Sequence, residues 1–156
     1  MLEAPHVKAW WDTDKIWTHE AIDKKYRPYT KGYKNEKGVF KKIHAFVILV
    51  DAVPVGYIQL YNAYDFSRDA SLSGLPKSLS AFDFFIGEIS YLRKGIGAQA
   101  LKLFLEHFSD HHYDHVFADP DAQNKGAIKT YEKAGFKRIK ENRKGTEIWM
   151  IRKKAQ

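Results

Sequence analysis

Apolar and polar positions along the chain fall into short blocks of distinct period. From Ile43 to Val50 apolar and β-branched residues run almost unbroken, which predicts a strand buried on both faces. The turn Asp51–Pro54 follows and Val55–Tyr61 returns, so the two blocks predict a hairpin. Upstream, Asp12, Thr13 and Asp14 give an N-cap signal ahead of a helical stripe of Trp17, Ala21 and Ile22 that ends near Tyr26. The basic, glycine-bearing stretch from Tyr29 to Lys42 reads as loop. Asp65 to Ser80, rich in Ser, Asp, Gly and Pro, predicts a long loop before a central strand from Phe82 to Ile86. Leu101, Phe104, Leu105 and Phe108 recur at helical spacing and predict a helix over 95–108. His115–Ala118 predicts a short strand. Asn124 is read as the cap of a helix through Ala134, with Ile128 and Tyr131 on one face and Gly135 as terminator. Phe136–Ile139 and Glu147–Ile151 predict a closing hairpin through Gly145. Strands first, then strand–helix–strand–helix–strand, predict an α/β fold on a mixed sheet. No internal repeat divides the chain, so a single domain over residues 1–156 is expected.

Composition narrows the classes. A chain of 156 residues with 44% hydrophobic and 15% aromatic content can bury a core and is not disordered. No apolar run reaches membrane-spanning length, and the start lacks a signal-peptide pattern. The absence of cysteine excludes disulfides, a thiolate nucleophile and a zinc–thiolate site. A cytoplasmic protein with no membrane partner is expected. A net charge of +7 points to an anionic partner: nucleotide, nucleic acid or acidic surface. Lys133, Lys137, Arg138, Lys140, Arg143 and Lys144, with Arg152–Lys154, form a basic run, yet no recognition motif accompanies it. Nucleic acid is therefore not favoured as the partner. His107 and His111 stand at i, i+4, but they fall at a helix C-terminus, where cationic residues are favoured anyway. No acid completes a ligand set, and no metal is expected.

The stretch Phe82–Gly97 carries the first candidate chemistry. Strand, basic Gly-x-Gly turn and helix together make an anion site, because uncapped N–H groups at a helix start point at the ligand. Gly95 and Gly97 let backbone approach a phosphate, and Arg93 and Lys94 add charge. The alternative is a plain helix cap in which the glycines only turn the chain. Asp83 stands among Phe82, Phe84, Phe85 and Ile86, where an acid is costly unless it meets a cation or another partner. Alternation puts Asp83 and Phe85 on one face. Asn124 and Tyr131 are about two helical turns apart and share a face; either can be purely structural, as cap and core residue. Trp10 and Trp11 offer one core and one half-exposed ring, or a pocket wall. Glu88 solvates a strand end, and Asp119 before Pro120 is a turn former or a second anchor for a cation.

The Arg93–Gly97 turn together with Asn124-x-x-Ala127-x-x-x-Tyr131-x-x-x-Gly135-Phe136 resembles the acetyl-CoA-binding core of the GNAT N-acetyltransferases. The second motif matches at every position; in the first, Leu92 stands where the family usually has Gln or Arg. Within the superfamily the chain is most similar to the aminoglycoside 6′-N-acetyltransferases. The similar segments are Val7–Trp11, Pro54–Tyr61, Phe82–Gly87, Asp119–Ile128 and Tyr131–Phe136, about half of the chain. A related branch acting on siderophore lysines typically has His where this chain has Asp83. Relatives often carry further acids before Asp83 and in the last hairpin; here the loop holds Asp65 and Asp69, and the hairpin tip is Lys144-Gly145.

The resemblance implies a GNAT-like mixed, mostly antiparallel twisted sheet flanked by helices. Members usually have a strand ahead of the segment like Pro5–Trp11, so the expectation is a sheet without that strand, a strand supplied by a partner chain, or a shortened form. It implies acetyl-CoA as acyl donor, contacted by Phe85, Ile86, Arg93, Lys94, Gly95, Ile96, Gly97, Ala98, Asn124 and Ala127. The implied acceptor is a small-molecule amine, the 6′-amine of an aminoglycoside, bound by Trp11, Asp65, Asp83 and Asp119. Asp83 would hold the ammonium and take its proton, strand N–H groups near Phe85–Ile89 would hold the oxyanion, and Tyr131 would protonate the thiolate. The alternatives are a GNAT enzyme for another small amine or a protein amine, and a basic CoA- or nucleic-acid-binding module. The sequence carries no signal for oligomeric state.

Overall fold

Residues 1–68, 70–142 and 145–155 are described by the structure, a computed structural model. Asp69, Arg143 and Lys144, named above, lie outside the described residues. The helices are α1 (Pro5–Lys8), α2 (His19–Thr30), α3 (Ile96–His107) and α4 (Lys125–Lys133). The strands are β1 (Tyr33–Glu36), β2 (Val39–Val50), β3 (Val53–Asn62), β4 (Leu79–Ile86), β5 (His115–Ala118), β6 (Lys137–Asn142) and β7 (Glu147–Lys153). They form a seven-stranded sheet in the order β1-β2-β3-β4-β5-β7-β6. Pairing is antiparallel for β1–β2, β2–β3, β5–β7 and β6–β7, and parallel for β4–β5. The Ala63 N–H bonds the Leu79 carbonyl and the Gly87 N–H bonds the Val55 carbonyl, so β3 and β4 also run antiparallel. The expected α/β class and mostly antiparallel sheet are what the structure has. No strand precedes α2 among the described residues.

The chain forms two compact units, Met1–Tyr61 with Asp83–Lys94, and Asn62–Phe82 with Gly95–Gln156. In the first, α2 is capped by Thr18, whose hydroxyl accepts the Ala21 N–H at 3.1 Å. The cap expected at Asp12–Asp14 is thus misplaced. Asp12 takes a φ of 45° and its carboxylate accepts Lys15 and Lys25 at 2.9 and 2.8 Å, closing a turn ahead of the helix. The helix also runs past Tyr26, with Pro28 tolerated in its last turn. The loop expected from Tyr29 to Lys42 is instead the end of α2 and a hairpin. Glu36 pairs Val39 across Lys37 and Gly38, at φ 52° and 86°, and the Asn35 side chain accepts the Gly38 N–H. Left-handed pairs of this kind match the natural twist of paired strands. A second such turn, Asp51 and Ala52, joins β2 to β3.

The strand β2 is not buried on both faces. Ile43 is 1% exposed, but Val47 and Leu49 are 59% and 57% exposed, and a bulge interrupts pairing between Ile48 and Leu49. An apolar, β-branched run reports strand propensity as well as burial, and here the two part company. On β3, a Cβ on Gly56 would come within 2.4 Å of the Phe85 carbonyl oxygen, so only glycine lets the strand lie there.

In the second unit the loop ends sooner than expected, and β4 starts at Leu79, with Leu79–Phe82 all buried. Its pairing with β5 covers Leu79↔His115 to Ala81↔Phe117. The helix α3 buries Leu101 and Leu105 completely, each worth roughly 1.5–3 kcal/mol on leaving water. Phe104 and Phe108 of the same stripe stack at 5.5 Å. Asn124 caps α4 as expected, its Oδ1 accepting the Ala127 N–H at 3.1 Å, and Gly135 at φ 93° ends it. The core around Val116, Phe117 and Met150 is closed by Trp149, edge-on to Phe117 at 5.1 Å.

Candidate active site

Strand alternation builds one candidate group. Tyr57 and Gln59 are two apart on β3, Asp83 and Phe85 two apart on β4, and all four side chains meet on one face. Gln59 Nε2 donates to Asp83 Oδ2 at 2.5 Å, and the Tyr57 hydroxyl donates to Gln59 Oε1 at 2.7 Å. The rings of Tyr57 and Phe85 lie 5.8 Å apart. Trp11 stands edge-on to Phe85 at 4.9 Å and to Tyr57 at 6.3 Å. From α2, Tyr26 packs on Tyr57 at 5.4 Å and on Tyr29 at 5.3 Å. Asp83 is half-buried, and its neighbours include the Gln59 amide and the phenols of Tyr26, Tyr29 and Tyr57. A half-buried carboxylate beside aromatic rings is a place for a cation.

The three phenols stay protonated there. Burial pushes Tyr57 far above its ordinary 10.0, and the neighbouring Tyr26, Tyr29 and Asp83 add to the rise. Burial does the same for Tyr26, opposed by the Trp11 indole, and lifts Tyr29 to about 12 with help from Asp83, Asp12 and Glu36. The nearby Asp12 behaves differently. Burial alone would raise its carboxyl, but the hydrogen bonds and charges of Lys25 and Lys15 hold it below 3.8. Lys25 also sits 4.8 Å over the Trp17 ring and 5.2 Å over Tyr26.

A separate candidate is the turn into α3. After the 3₁₀ turn Ile89–Tyr91, Arg93 takes a φ of 59° and Gly95 one of 78°. Gly95 is the N-cap of α3, no side chain caps the helix, and its first turn holds no acid. The space where a Gly95 Cβ would sit is open, and Arg93, Lys94 and Gly95 face solvent while Ile96, Gly97 and Ala98 are half-buried. Helix-start N–H groups with two cations and no acid in the first turn fit an anion such as a pyrophosphate. Residues Arg93–Ala98 could hold one.

Tyr131 of α4 packs against Phe82 at 5.2 Å and Phe136 at 5.8 Å. Asn124 and Ala127 are joined to each other by the cap bond. Asp119 is ion-paired to Arg68 at 2.6 Å. Asp65 is half-buried, its N–H bonded to the Asn62 carbonyl, and Glu88 is exposed at its strand end. Of the tryptophans, Trp10 is exposed and Trp11 walls the Asp83 group. Phe85 puts its ring in the acceptor group, and the Ile86 carbonyl accepts the His6 Nε2–H at 2.9 Å. The sequence reading missed Gln59, Tyr57, Tyr26 and Tyr29. Their signal is the polar-aromatic alternation Tyr57-x-Gln59 opposite Asp83-x-Phe85, which shows only once the strands are paired. Among the described residues no group of three His, Asp or Glu side chains forms a metal site, and no helix is long and apolar enough to cross a membrane.

Aminoglycoside N(6′)-acetyltransferases type 1 of Klebsiella pneumoniae and Serratia marcescens are each 24% identical over 139 residues, 88% of this chain. The chain spans 66% of their length. A crystal structure of aminoglycoside acetyltransferase AAC(6′)-Ib in complex with coenzyme A and kanamycin is similar with a TM-score of 0.76. That match has 24% identity and covers 97% of this chain and 84% of the other. An aminoglycoside N(6′)-acetyltransferase of Legionella pneumophila matches at a TM-score of 0.64 and 19% identity, over 97% and 81% of the two chains. These likenesses establish a shared fold. The family model described as an acetyltransferase (GNAT) domain matches residues 2–144, and the chain belongs to that family.

Proposed function

We propose that residues 1–156 form one N-acetyltransferase domain that moves an acetyl group from acetyl-CoA to a primary amine by direct attack in a ternary complex. The acceptor in this reading is the 6′-amine of an aminoglycoside, as the names of the relatives suggest, and the setting is the cytoplasm. The observation that carries it is the Asp83 carboxylate, set among aromatic rings and held by Gln59.

Acetyl-CoA, when bound, supplies the thioester carbonyl and the thiol leaving group. Arg93–Ala98 hold its pyrophosphate through backbone N–H groups and two cations, with Phe85, Ile86, Asn124 and Ala127 as further contacts. Asp83 attracts the acceptor as ammonium and takes its proton, directly or through water, so that the nitrogen lone pair is released. The new N–C bond would form as the C–S bond breaks. The Tyr131 hydroxyl would give its proton to sulfur and be restored by the second proton lost from the acetylated nitrogen, while the first, held on Asp83, passes to water. Trp11 walls the acceptor, and Asp65 and Asp119 supply an acidic rim. Placement of the two reactants is the main contribution of the chain.

One observation favours a second reading within the same chemistry. Asp119 is paired with Arg68, and Asp12 with Lys15 and Lys25, which leaves less acid to meet a polycation. Another small amine or a protein amine then becomes the acceptor. Thiol release from acetyl-CoA, measured with aminoglycosides, monoamines and polyamines, tests both. An aminoglycoside advantage in kcat/KM supports the first, a monoamine advantage the second, and no release with any amine rejects acetyl transfer in favour of a binding module.

A further inference from the structure

We infer that Gln59 is the positioning residue for Asp83, and that Tyr57 locks its amide so that the carboxylate faces the acceptor only as a hydrogen-bond acceptor. The inference rests on the acceptor role proposed for Asp83. Gln59 is 8% exposed, one of few buried polar residues among the described residues, and a buried amide must use its donor and acceptor ends. Its Oε1 receives the Tyr57 hydroxyl at 2.7 Å and its Nε2 gives a proton to Asp83 Oδ2 at 2.5 Å. Turning the amide over would set its carbonyl oxygen against the Asp83 carboxylate, a repulsive contact, whereas the Tyr57 hydroxyl can turn to accept an N–H. The Asp83 contact therefore enforces one orientation, and the Tyr57 hydroxyl completes it by donating to Oε1.

The lock holds only while Tyr57 is a donor. Burial together with the phenols and Asp83 around it keeps its proton in place throughout the neutral range. The groups coupled to Asp83 include Tyr57 on β3 and Tyr26 and Tyr29 on α2, all protonated. Asp12, which also acts on Tyr26 and Tyr29, is matched by Lys15 and Lys25. Trp11 and Phe85 contribute no charge. A donor aimed at one carboxylate oxygen favours the ionised form, and only that form can attract an ammonium and then receive its proton.

The test compares wild type with Gln59→Met, Gln59→Glu and Tyr57→Phe. The Asp83 carboxyl is followed by ¹³C NMR titration, assigned with Asp83→Asn, beside the pH profile of kcat/KM and the CoA-induced change in Tm. In Gln59→Met the carboxyl midpoint and the acid limb of kcat/KM should both rise, by about one pH unit. Tyr57→Phe, which removes a single oxygen atom, should move both less and in the same direction. Gln59→Glu should move both furthest, since two carboxylates then share a site. The CoA-induced Tm change should stay as in wild type. Unmoved midpoints in Gln59→Met and Tyr57→Phe, or a uniform fall in rate with an unshifted acid limb, overturn the inference. If wild type acetylates no amine, the acetyl-transfer reading fails, while the carboxyl titration still decides whether Gln59 sets the state of Asp83.

Discussion

Arg68 Nη1 lies 2.6 Å from Asp119 Oδ2, so the acid that stands before Pro120 is already matched to a cation of its own chain. The arginine is largely buried, with its guanidinium 5.2 Å over the Phe117 ring, while the carboxylate keeps some exposure. If Asp119 belongs to the acceptor rim, Arg68 weakens its hold on a polycation. Arg68→Gln should then raise kcat/KM for an aminoglycoside about two- to five-fold at low salt, the range of a partly exposed ion pair. The gain should shrink as salt is added, and simple monoamines should show none. Equal changes for monoamine and aminoglycoside would place Asp119 outside the rim.

The α3 turn makes a separate prediction about the acyl donor. Gly97 lies in the first turn of the helix, where an acid is compatible with the helix dipole. Gly97→Glu should therefore keep the fold, with a Tm at or above wild type, yet repel an anion from the same N–H groups. CoA should raise the Tm of wild type by linkage and leave that of the variant unchanged. Equal stabilisation of both proteins would separate the turn from CoA binding.

The phenols around Asp83 predict a specific alkaline limit. Tyr26, Tyr29 and Tyr57 ionise later in the folded protein than at their ordinary 10.0, Tyr29 near 12. The unfolded chain gives up these protons first, so their contribution to stability is complete below pH 10 and is lost as pH rises through the folded values. Urea midpoints should hold level to about pH 9.5 and then fall. Tyr57→Phe should make that fall less steep, and a fall of wild-type slope would exclude Tyr57 as a contributor.

Arg152 and Asp110 predict a purely structural effect. The guanidinium meets both carboxylate oxygens at 2.6 and 2.9 Å, with both side chains largely buried. Asp110→Asn leaves a buried cation underpaired and should cost about 3–5 kcal/mol, a drop in Tm of roughly 10 °C. Replacing both partners by apolar residues should recover much of it. A double variant no more stable than Asp110→Asn would contradict this account.

The local code was most legible where one residue type suffices for one geometry. Asn124 as cap, Gly135 as terminator and the Leu101–Leu105 stripe needed no tertiary information. The α2 start failed because Asp is the stronger cap in isolation, whereas here Asp12 is held by Lys15 and Lys25 in a turn and Thr18 caps the helix. The β1–β2 hairpin was hidden because Lys37 accepts a positive φ that is usually left to Asn or Gly. At the site, Asp83 stood out as an acid in an apolar strand. Gln59 did not, since nothing in its own segment tells which strand will lie beside it. The resemblance to GNAT enzymes rested on Gly95, Gly97, Asn124 and Tyr131, which are spaced within two local motifs; the ion pair that occupies Asp119 spans Arg68 to Asp119 and leaves no local trace.

Tyr131 and Asp83 make the last prediction, because their proposed roles differ in what each should disturb. The Tyr131 ring packs on Phe82 and Phe136, and phenylalanine keeps every ring contact. Tyr131→Phe therefore removes a hydroxyl and little else, so the fold and the CoA-induced Tm change should persist. General-acid assistance is worth about 10²–10⁴ in rate, and kcat should fall by at least about ten-fold, given that water can substitute in part. Asp83→Asn should also leave CoA binding intact but act on the acceptor. With the carboxylate gone, kcat/KM should fall by about 100-fold or more, and the remaining activity should rise with pH as free amine replaces ammonium. Single-turnover measurements keep product release out of the comparison. An unchanged single-turnover rate in Tyr131→Phe would reduce that residue to packing. Wild-type kcat/KM in Asp83→Asn would remove the observation on which the acceptor site is built.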